Sequence, residues 1–157
     1  MDIFTVAFFG HRYIDNFFVV ESKLEEIIRD LLSSKQYVEF LVGQNGDFDQ
    51  MVSSTVLRTK RNVRDDNSVL RLVLPYPTTE FENNEDSFYN YYDEIEICDE
   101  SAKAHFKGAM QIKNKSMVDR AVLVVCYIER EEGGAFQTVQ YAKKQEKQIL
   151  NLYEIID

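Results

Sequence analysis

Residues 3–10 read Ile3-Phe4-Thr5-Val6-Ala7-Phe8-Phe9-Gly10, a run of seven β-branched, aromatic and small residues closed by a glycine. Such a run is typical of a strand that is buried on both faces, as in a parallel sheet. Three more candidate strands are Tyr37 to Val42, Val69 to Leu74 and Ala121 to Ile128, of which the last is the longest. We therefore expect a sheet whose strands lie inside the molecule.

Segments with helical spacing of apolar residues lie between these strands. They are Val19 to Leu32, Phe48 to about Lys60, Ala102 to Met117 and Ala135 to Gln145, and a last strand is expected at Ile149 to Tyr153. Regular alternation of strand and helix predicts a three-layer α/β sandwich with a mostly parallel sheet and right-handed crossovers. Because no repeat or linker interrupts the pattern, we expect a single domain over residues 1–157.

The composition narrows the class of protein. The 157 residues include 18 Lys or Arg and 27 Asp or Glu, so the formal net charge is −9. An acidic balance argues against nonspecific binding to nucleic acid or membranes, which draws on basic surface. No apolar run approaches the roughly 20 residues that cross a bilayer, and the start of the chain lacks the basic region of a signal peptide. We therefore expect a cytoplasmic protein, in which Cys98 and Cys126 are structural.

Much of the acidity comes from one segment. Residues 80–100 contain nine Asp or Glu and no Lys or Arg, together with five aromatic residues, so the rest of the chain is formally neutral. We treat residues 78–100 as an acidic aromatic insertion. One interpretation is a surface loop whose rings pack back on the body; the other is a lid or protein-binding surface beside a pocket.

Five of the six glycines follow predicted strands, namely Gly10, Gly43, Gly46, Gly133 and Gly134. The carboxyl ends of parallel strands meet at one edge of a sheet, where ligands bind at the switch point of strand order. Glycine there either serves a turn or lets the backbone approach a ligand closely. The double glycine before a helix is the best candidate for a phosphate cradle. Neither a Walker pattern nor a GxGxxG fingerprint is present.

Several polar residues share these loops. An Arg at a sheet edge can bind phosphate through two hydrogen bonds, or can simply be solvated. The candidate binding residues beside the glycines are His11, Arg12, Asn45, Asp47, Asp49 and Thr138. For Asp47 and Asp49 the favoured interpretation is a helix N-cap and a first-turn acid, respectively.

The segment before the strongest strand, Lys113-Asn114-Lys115-Ser116-Met117-Val118-Asp119, is expected to end a helix. Lys113 and Asn114 are candidate binding residues, and Lys113 and Asp119 are the candidate catalytic residues. A cation at a helix carboxyl end and an acid in a turn are the alternative interpretations. No spacing of His, Cys or acidic residues supports a metal site.

Four segments together resemble the SLOG superfamily, the Rossmann-like group that includes LOG phosphoribohydrolases and the DNA-processing protein A fold. They are Phe9 to Arg12, Gly43 to Asp49, Lys113 to Asp119, and Gly133-Gly134 with Thr138 and Tyr141-Ala142-Lys143. The nearest resemblance is to the small YpsA-like branch of bacterial or phage proteins. It implies a sheet of about five strands in the order 3-2-1-4-5.

The resemblance also implies a function. It predicts that the glycine loops bind a nucleotide or nucleotide-sugar, as in a sensor, and that the protein forms homo-oligomers such as a dimer. LOG enzymes carry an Arg where this chain has Lys113, and a Glu after their glycine run where this chain has no acid. Cleaving an N-glycosidic bond needs a carboxylate. Ligand binding is therefore expected more than hydrolysis, and the alternatives are a LOG-like N-glycosidase and a protein-interaction adaptor. No cofactor is predicted with certainty, and nucleic acid is an improbable partner.

Overall fold

The computed structural model describes residues 1–156, which form a six-stranded sheet with helices on both faces. In chain order the elements are β1 (Ile3–Gly10), α1 (Phe17–Ser34), β2 (Tyr37–Val42), α2 (Asp47–Asn62), β3 (Ser68–Leu74), α3 (Thr79–Asn83), α4 (Glu85–Tyr91), β4 (Glu94–Ile97), α5 (Asp99–Ala102), α6 (Phe106–Arg120), β5 (Leu123–Tyr127), α7 (Gly134–Lys144), β6 (Gln148–Asn151) and α8 (Leu152–Ile155). No helix within these residues is long and apolar enough to cross a membrane. The last residue of the predicted domain, Asp157, lies outside the described residues.

The strand order is β4-β3-β2-β1-β5-β6, and every neighbouring pair is parallel. The chain builds outward from β1 to β4 on one side and then crosses to β5 and β6 on the other. The reversal falls between β1 and β5, whose last residues, Gly10 and Tyr127, are partners in the register. The carboxyl ends of these two strands therefore mark the switch point where open α/β sheets bind ligands.

The core has two layers because successive residues of β1 point to opposite faces of the sheet. Val6 and Phe8 belong to the cluster covered by α1 and α2, whereas Ala7 and Phe9 belong to the cluster that includes residues of α6 and α7. All four side chains are buried. Burial on both faces confirms the prediction from the unbroken apolar run of β1, and the α/β Rossmann-like fold class is confirmed with it.

The sheet has six strands rather than about five. The added edge strand is β4, in which Ile95 and Ile97 alternate with glutamates, and without it the order matches the predicted 3-2-1-4-5. The helix expected from Ala102 to Met117 is instead divided, because α6 begins only at Phe106. His105 caps α6, its Nδ1 accepting a hydrogen bond from the Lys107 amide at 3.2 Å.

The acidic segment is more ordered than a surface loop. It forms α3, α4 and β4, and Phe81, Phe88 and Tyr92 are buried in the core layer beneath α1 and α2. Two of its acids pair with bases from the rest of the chain: Asp93 contacts Lys60 Nζ at 2.7 Å, and Glu96 contacts Arg120 Nη1 at 2.6 Å. The segment is thus anchored both by its rings and by ion pairs.

Candidate functional site

A cavity of about 470 Å³ opens at the carboxyl edge of the sheet, beside the ends of β1, β2 and β5. We call it the edge cavity. Its lining comes from the three loops after these strands and from one face of α6: Phe8, Phe9, Gly10, His11, Arg12, Gly43, Asn45, Asp49, Met110, Lys113, Asn114, Arg130, Glu132, Gly133, Gly134 and Ala135. The volume lies within the range of small-ligand sites. Most of the candidate residues named from the sequence therefore meet at one place.

Close backbone packing joins the first two loops. A Cβ on Gly46 would lie 2.6 Å from Arg12 Cα, and one on Gly10 would lie 2.3 Å from the Phe48 ring, so neither position has room for a side chain. The Asp47 amide donates to the Arg12 carbonyl at 2.8 Å, and Asp47 Oδ2 accepts from the Ile14 amide at 3.4 Å. These contacts hold the Arg12 backbone against the start of α2.

The predicted helix cap at Asp47 is wrong. Gly46 occupies the N-cap position and Asp47 is the first residue of α2, where its carboxylate holds the β1–α1 loop instead. Asp49 does lie in the first turn, as predicted. Gly46 and Asp47 do not line the edge cavity; they contact the backbone of the β1–α1 loop, which includes Arg12 of the cavity wall.

A buried lysine and a buried aspartate meet in the cavity wall beside Gly43. Lys113 Nζ and Asp49 Oδ2 lie 3.0 and 3.1 Å from the position of a Cβ on Gly43. Lys113 is 1 % exposed and Asp49 is 8 % exposed. Within residues 1–156 the lysine amine has no hydrogen-bond acceptor, whereas Asp49 Oδ2 accepts from the Asn45 amide at 2.8 Å. The structure thus places an unpartnered amine at the cavity wall.

Burial dominates the titration of both groups. It lowers the pKa of Lys113 to about 8, although the neighbouring Asp49 acts in the opposite direction. Burial likewise raises the pKa of Asp49, opposed by Lys113 and by the amide of Asn45. Each group lacks enough compensation for losing water. A phosphate oxygen in the cavity would supply the missing partner of the amine.

Asn114 and Thr138 join α6 to α7. Asn114 Nδ2 donates to Thr138 Oγ1 at 3.1 Å, and that hydroxyl donates to the Gly134 carbonyl at 2.9 Å. Asn114 Oδ1 is buried without a partner among the described residues, and Asn114 lines the cavity. Thr138 is fully buried and does not line it. The predicted ligand contact of Thr138 is therefore a structural hydrogen bond beneath the glycine loop.

The third loop brings the amino end of α7 to the cavity. Gly133 has a φ of 95°, a left-handed conformation that favours glycine. Gly134 begins the 11-residue α7, whose first amides have no partner within the helix. Arg130 in the same loop is exposed and contacts Glu129 Oε1 at 3.0 Å. The loop therefore offers amide donors and one exposed cation to the same space.

His11 holds this loop from below. Its Nε2 accepts hydrogen bonds from the amides of Glu129 and Arg130 at 3.0 and 3.2 Å, so the ring is neutral with its proton on Nδ1. Burial, reinforced by Arg130, lowers the pKa of His11, against the influence of Glu129 and Glu132. His11 therefore positions the third loop rather than offering a proton to a ligand.

Asp119 does not belong to the site. It lies near the carboxyl end of α6, six residues beyond Lys113, or about 9 Å farther along a helix. Its Oδ1 accepts a hydrogen bond from the Tyr141 hydroxyl at 2.6 Å, at the opposite edge of the sheet. The helix ends directly after this segment, as predicted, and this end of α6 keeps Asp119 away from the edge cavity.

Sequence reasoning missed Met110 and Arg130. Met110 precedes Lys113 and Asn114 by one helical turn, so the spacing 110, 113 and 114 places all three on one face of α6. Arg130 lies in the charged loop after β5, at the same edge as the glycines. No group of three or more His, Cys, Asp or Glu side chains within residues 1–156 has the geometry to hold a metal ion.

Comparisons with known proteins show what this fold is similar to. No family model matches the sequence, and no curated protein matches it significantly. Among solved structures, DNA processing protein A from Helicobacter pylori superimposes with a TM-score of 0.62 at 16 % identity, covering 93 % of this chain and 63 % of that one. DNA processing protein A from Streptococcus pneumoniae gives a TM-score of 0.64 at 12 % identity, covering 94 % and 49 %. The chain thus spans about half to two thirds of these neighbours.

These neighbours overturn two predictions. The Helicobacter pylori protein is described by its single-stranded DNA binding mode, so the acidic net charge does not make nucleic acid an improbable partner for this fold. The prediction of a small nucleotide or nucleotide-sugar ligand is wrong as well, since the neighbours point to nucleic acid instead. The YpsA-like branch stays a prediction. At this identity the likeness establishes architecture alone: the chain shares the Rossmann-like fold of DNA processing protein A.

Proposed function

We propose that this protein binds single-stranded DNA at the carboxyl edge of its sheet, with a backbone phosphate in the edge cavity. The observation that carries the proposal is the buried, unpartnered amine of Lys113 in the wall of an open cavity at the switch point. A buried cation without a partner is costly unless an anion completes it. The fold neighbour that binds single-stranded DNA supplies the class of anion.

Three kinds of donor converge on the proposed phosphate. Lys113 contributes a point charge from the wall, Arg12 contributes an exposed guanidinium at the rim, and Gly133 and Gly134 contribute the amino end of α7. Arg12 forms no ion pair with any residue in the range 1–156, so its guanidinium group is available to donate hydrogen bonds to two phosphate oxygens. Helix amino ends favour phosphate through free amides and the helix dipole.

The acids beside the cavity are compatible with this assignment. Asp49 is buried beside Lys113 and its Oδ2 accepts a hydrogen bond from the Asn45 amide at 2.8 Å, so its charge is offset locally. Glu132 is 3.8 Å from Arg130 Nε and is exposed, so it is free to turn toward water when a phosphate occupies the cavity. Apart from Arg12, Lys113 and Arg130, the remaining lining is uncharged.

Fluorescence anisotropy with a labelled 20-nucleotide oligothymidylate tests the proposal. We expect saturable binding that weakens with salt, with a slope of about −2 if three phosphates are neutralised on a single strand. Arg12→Ala should weaken binding about tenfold and reduce the slope by about 0.7. The matched control is Arg61→Ala, an exposed arginine at the far end of α2, which should change neither quantity.

Two results would contradict the proposal. One is the absence of binding at 50 mM salt up to about 100 μM protein, where even nonspecific binders respond. The other is equal weakening by Arg12→Ala and Arg61→Ala, which would mean that the contact is diffuse and not located at the edge cavity. Thymidine monophosphate should compete far more weakly than the oligomer, because it supplies one phosphate instead of a strand.

A further inference from the structure

A second cavity, of about 530 Å³, lies on the other side of the loop between β2 and α2. We call it the aromatic cavity. It is formed by the start of α1, the first half of α2 and the end of α4: Phe17, Gln44, Asp47, Gln50, Met51, Ser53, Ser54, Ser87, Phe88, Tyr91 and Tyr92. Gln44 and Asp47 face this cavity, whereas Gly43, Asn45 and Asp49 line the edge cavity. One loop therefore separates the two.

The walls of the aromatic cavity expose ring surface. Phe17 is 42 % exposed and Tyr91 is 41 % exposed, and both line this cavity. Behind them Phe88 and Tyr92 are buried, and the Tyr91 and Tyr92 rings meet edge to face at 4.8 Å. Tyr91 therefore packs against a buried ring, while part of its own ring stays exposed for stacking.

The floor of the aromatic cavity carries an unused polar group. Ser53 is 1 % exposed, and its hydroxyl has no hydrogen-bond partner in the described part of the chain. The Tyr92 side chain lies nearby, and Ser53 lowers the pKa of Tyr92 against the larger, opposite effect of burial. Buried hydroxyls are normally paired, so Ser53 has capacity for a group that enters the cavity. Gln50 and Ser54 add further donors and acceptors at the exposed rim.

The charge of the aromatic cavity excludes phosphate. Among the described residues that line it, none is Lys or Arg and one is an acid, Asp47. The edge cavity differs in charge, since three bases, Arg12, Lys113 and Arg130, line it together with two acids, Asp49 and Glu132. A strand of nucleic acid has both characters in alternation: an anionic backbone and neutral bases with flat faces and polar edges.

We propose that the aromatic cavity receives an unpaired base of the strand whose phosphate lies in the edge cavity. This inference rests on the proposed function and extends it to the base. Tyr91 and Phe17 stack on the base, and Ser53 meets its polar edge. Aromatic stacking suits single strands of any sequence, because every base has a π-face. A base inside a duplex is already stacked and paired and does not enter, so this cavity selects single strands over duplex.

The test compares two oligomers of equal length and charge. One is oligothymidylate, and the other is an abasic tetrahydrofuran oligomer that keeps the phosphates but has no bases. Wild-type protein should bind the first about 10- to 100-fold more tightly, in line with the loss on removing one stacked ring. Tyr91→Ala and Phe17→Ala should remove most of that preference. Neither should change the salt slope, because no phosphate contact is lost.

The matched control is Tyr89→Ala, a tyrosine on the same helix that is 56 % exposed and does not line the aromatic cavity. It should leave the preference for bases intact. Thermal melting of each variant shows whether it is folded. Ser53→Ala is a smaller change, at the floor of the cavity, and should weaken the affinity for oligothymidylate several-fold without changing the affinity for the abasic oligomer.

The outcomes separate the two proposals. Wild-type protein that binds both oligomers equally, or thymidylate binding that Tyr91→Ala and Phe17→Ala leave unchanged, overturns the base site and keeps the phosphate site. If wild-type protein binds neither oligomer, the proposed function is overturned, and the base site with it. A dimer in sedimentation velocity that Tyr91→Ala dissociates, with DNA binding unchanged, would assign the cavity to a second copy of the chain and overturn the base site.

Discussion

Replacing Lys113 by methionine should make the protein more stable while it weakens binding at the edge cavity. Methionine fills a similar volume without a charge. A pKa lowered from 10.5 to about 8 corresponds to a penalty of about 3 kcal/mol for keeping the amine charged at neutral pH. Methionine removes this penalty, but part of the resulting stabilisation is lost because Asp49 no longer has a cation beside it. We expect a net stabilisation of about 2 kcal/mol, in the range seen when buried charges are replaced by apolar groups.

Differential scanning calorimetry measures this gain. About 2 kcal/mol raises the melting temperature of a chain of this size by roughly 4–8 °C. Lys107→Met is the matched control, since Lys107 is exposed on the same helix and its substitution should shift the melting temperature by no more than about 2 °C. Binding of oligothymidylate should fall at least tenfold in Lys113→Met and stay unchanged in Lys107→Met.

The pH dependence gives the same prediction a second readout. Because the pKa of Lys113 is lower in the folded state, the unfolded chain binds more protons between pH 8 and 10.5. The wild-type contribution from this group therefore becomes more favourable as pH rises through that window. The stability gap between Lys113→Met and wild type should be largest below pH 8 and close toward pH 10.5. A lower melting temperature for the variant at neutral pH, or a gap that does not depend on pH, would refute the assignment of a desolvated, unpartnered amine.

Three further outcomes are expected. Gly46→Ala should lose about 1–3 kcal/mol in chemical denaturation, because its Cβ would clash with the backbone of the β1–α1 loop, whereas Gly108→Ala, on an open helix face, should gain about 0.5–1 kcal/mol. Acidification below pH 6.5 should destabilise the protein, because the pKa of His11 is lowered in the folded state. Hydrogen exchange of the Glu129 amide should become faster at the same time, since protonated His11 no longer accepts its hydrogen bond. The His11→Gln variant should lack this acid-dependent loss of stability. Asp119→Ala should bind oligothymidylate with an affinity within twofold of wild type, and a larger loss of affinity would show that Asp119 takes part in binding.

The strands were the easiest part of the fold to predict from the sequence. β2 has the predicted bounds, β3 begins one residue earlier than predicted, and β5 is shorter by two residues at its start and one at its end. The agreement is close because buried parallel strands form apolar runs that few other structures require. β4 was harder, since Ile95 and Ile97 alternate with glutamates at an edge of the sheet. Its stability depends on tertiary partners, including Arg120, which a local pattern does not reveal.

The candidate site was predictable to the level of its loops but not of its roles. Gly10, Gly43 and Gly133 meet because parallel strands share a carboxyl edge, which topology alone guarantees. The roles of Thr138 and His11 depend on which side of the backbone each side chain faces. Both turn toward the protein, where one bonds to Asn114 and the other holds the third loop. Local sequence carries no signal for that choice, because a polar residue after a strand is equally suited to either side.

Net charge misled the functional prediction because binding depends on the local field. At physiological ionic strength, exposed charges more than about 8 Å apart are largely screened from one another. A phosphate in the edge cavity therefore responds mainly to the charges that line it, three bases (Arg12, Lys113 and Arg130) and two acids (Asp49 and Glu132), and much less to acids elsewhere on the surface. Nine of those acids belong to one segment, and members such as Asp93 and Glu96 are already paired with bases. A chain of net charge −9 can thus present a cationic cavity to a strand, while its acidic surface opposes binding where no specific contact compensates.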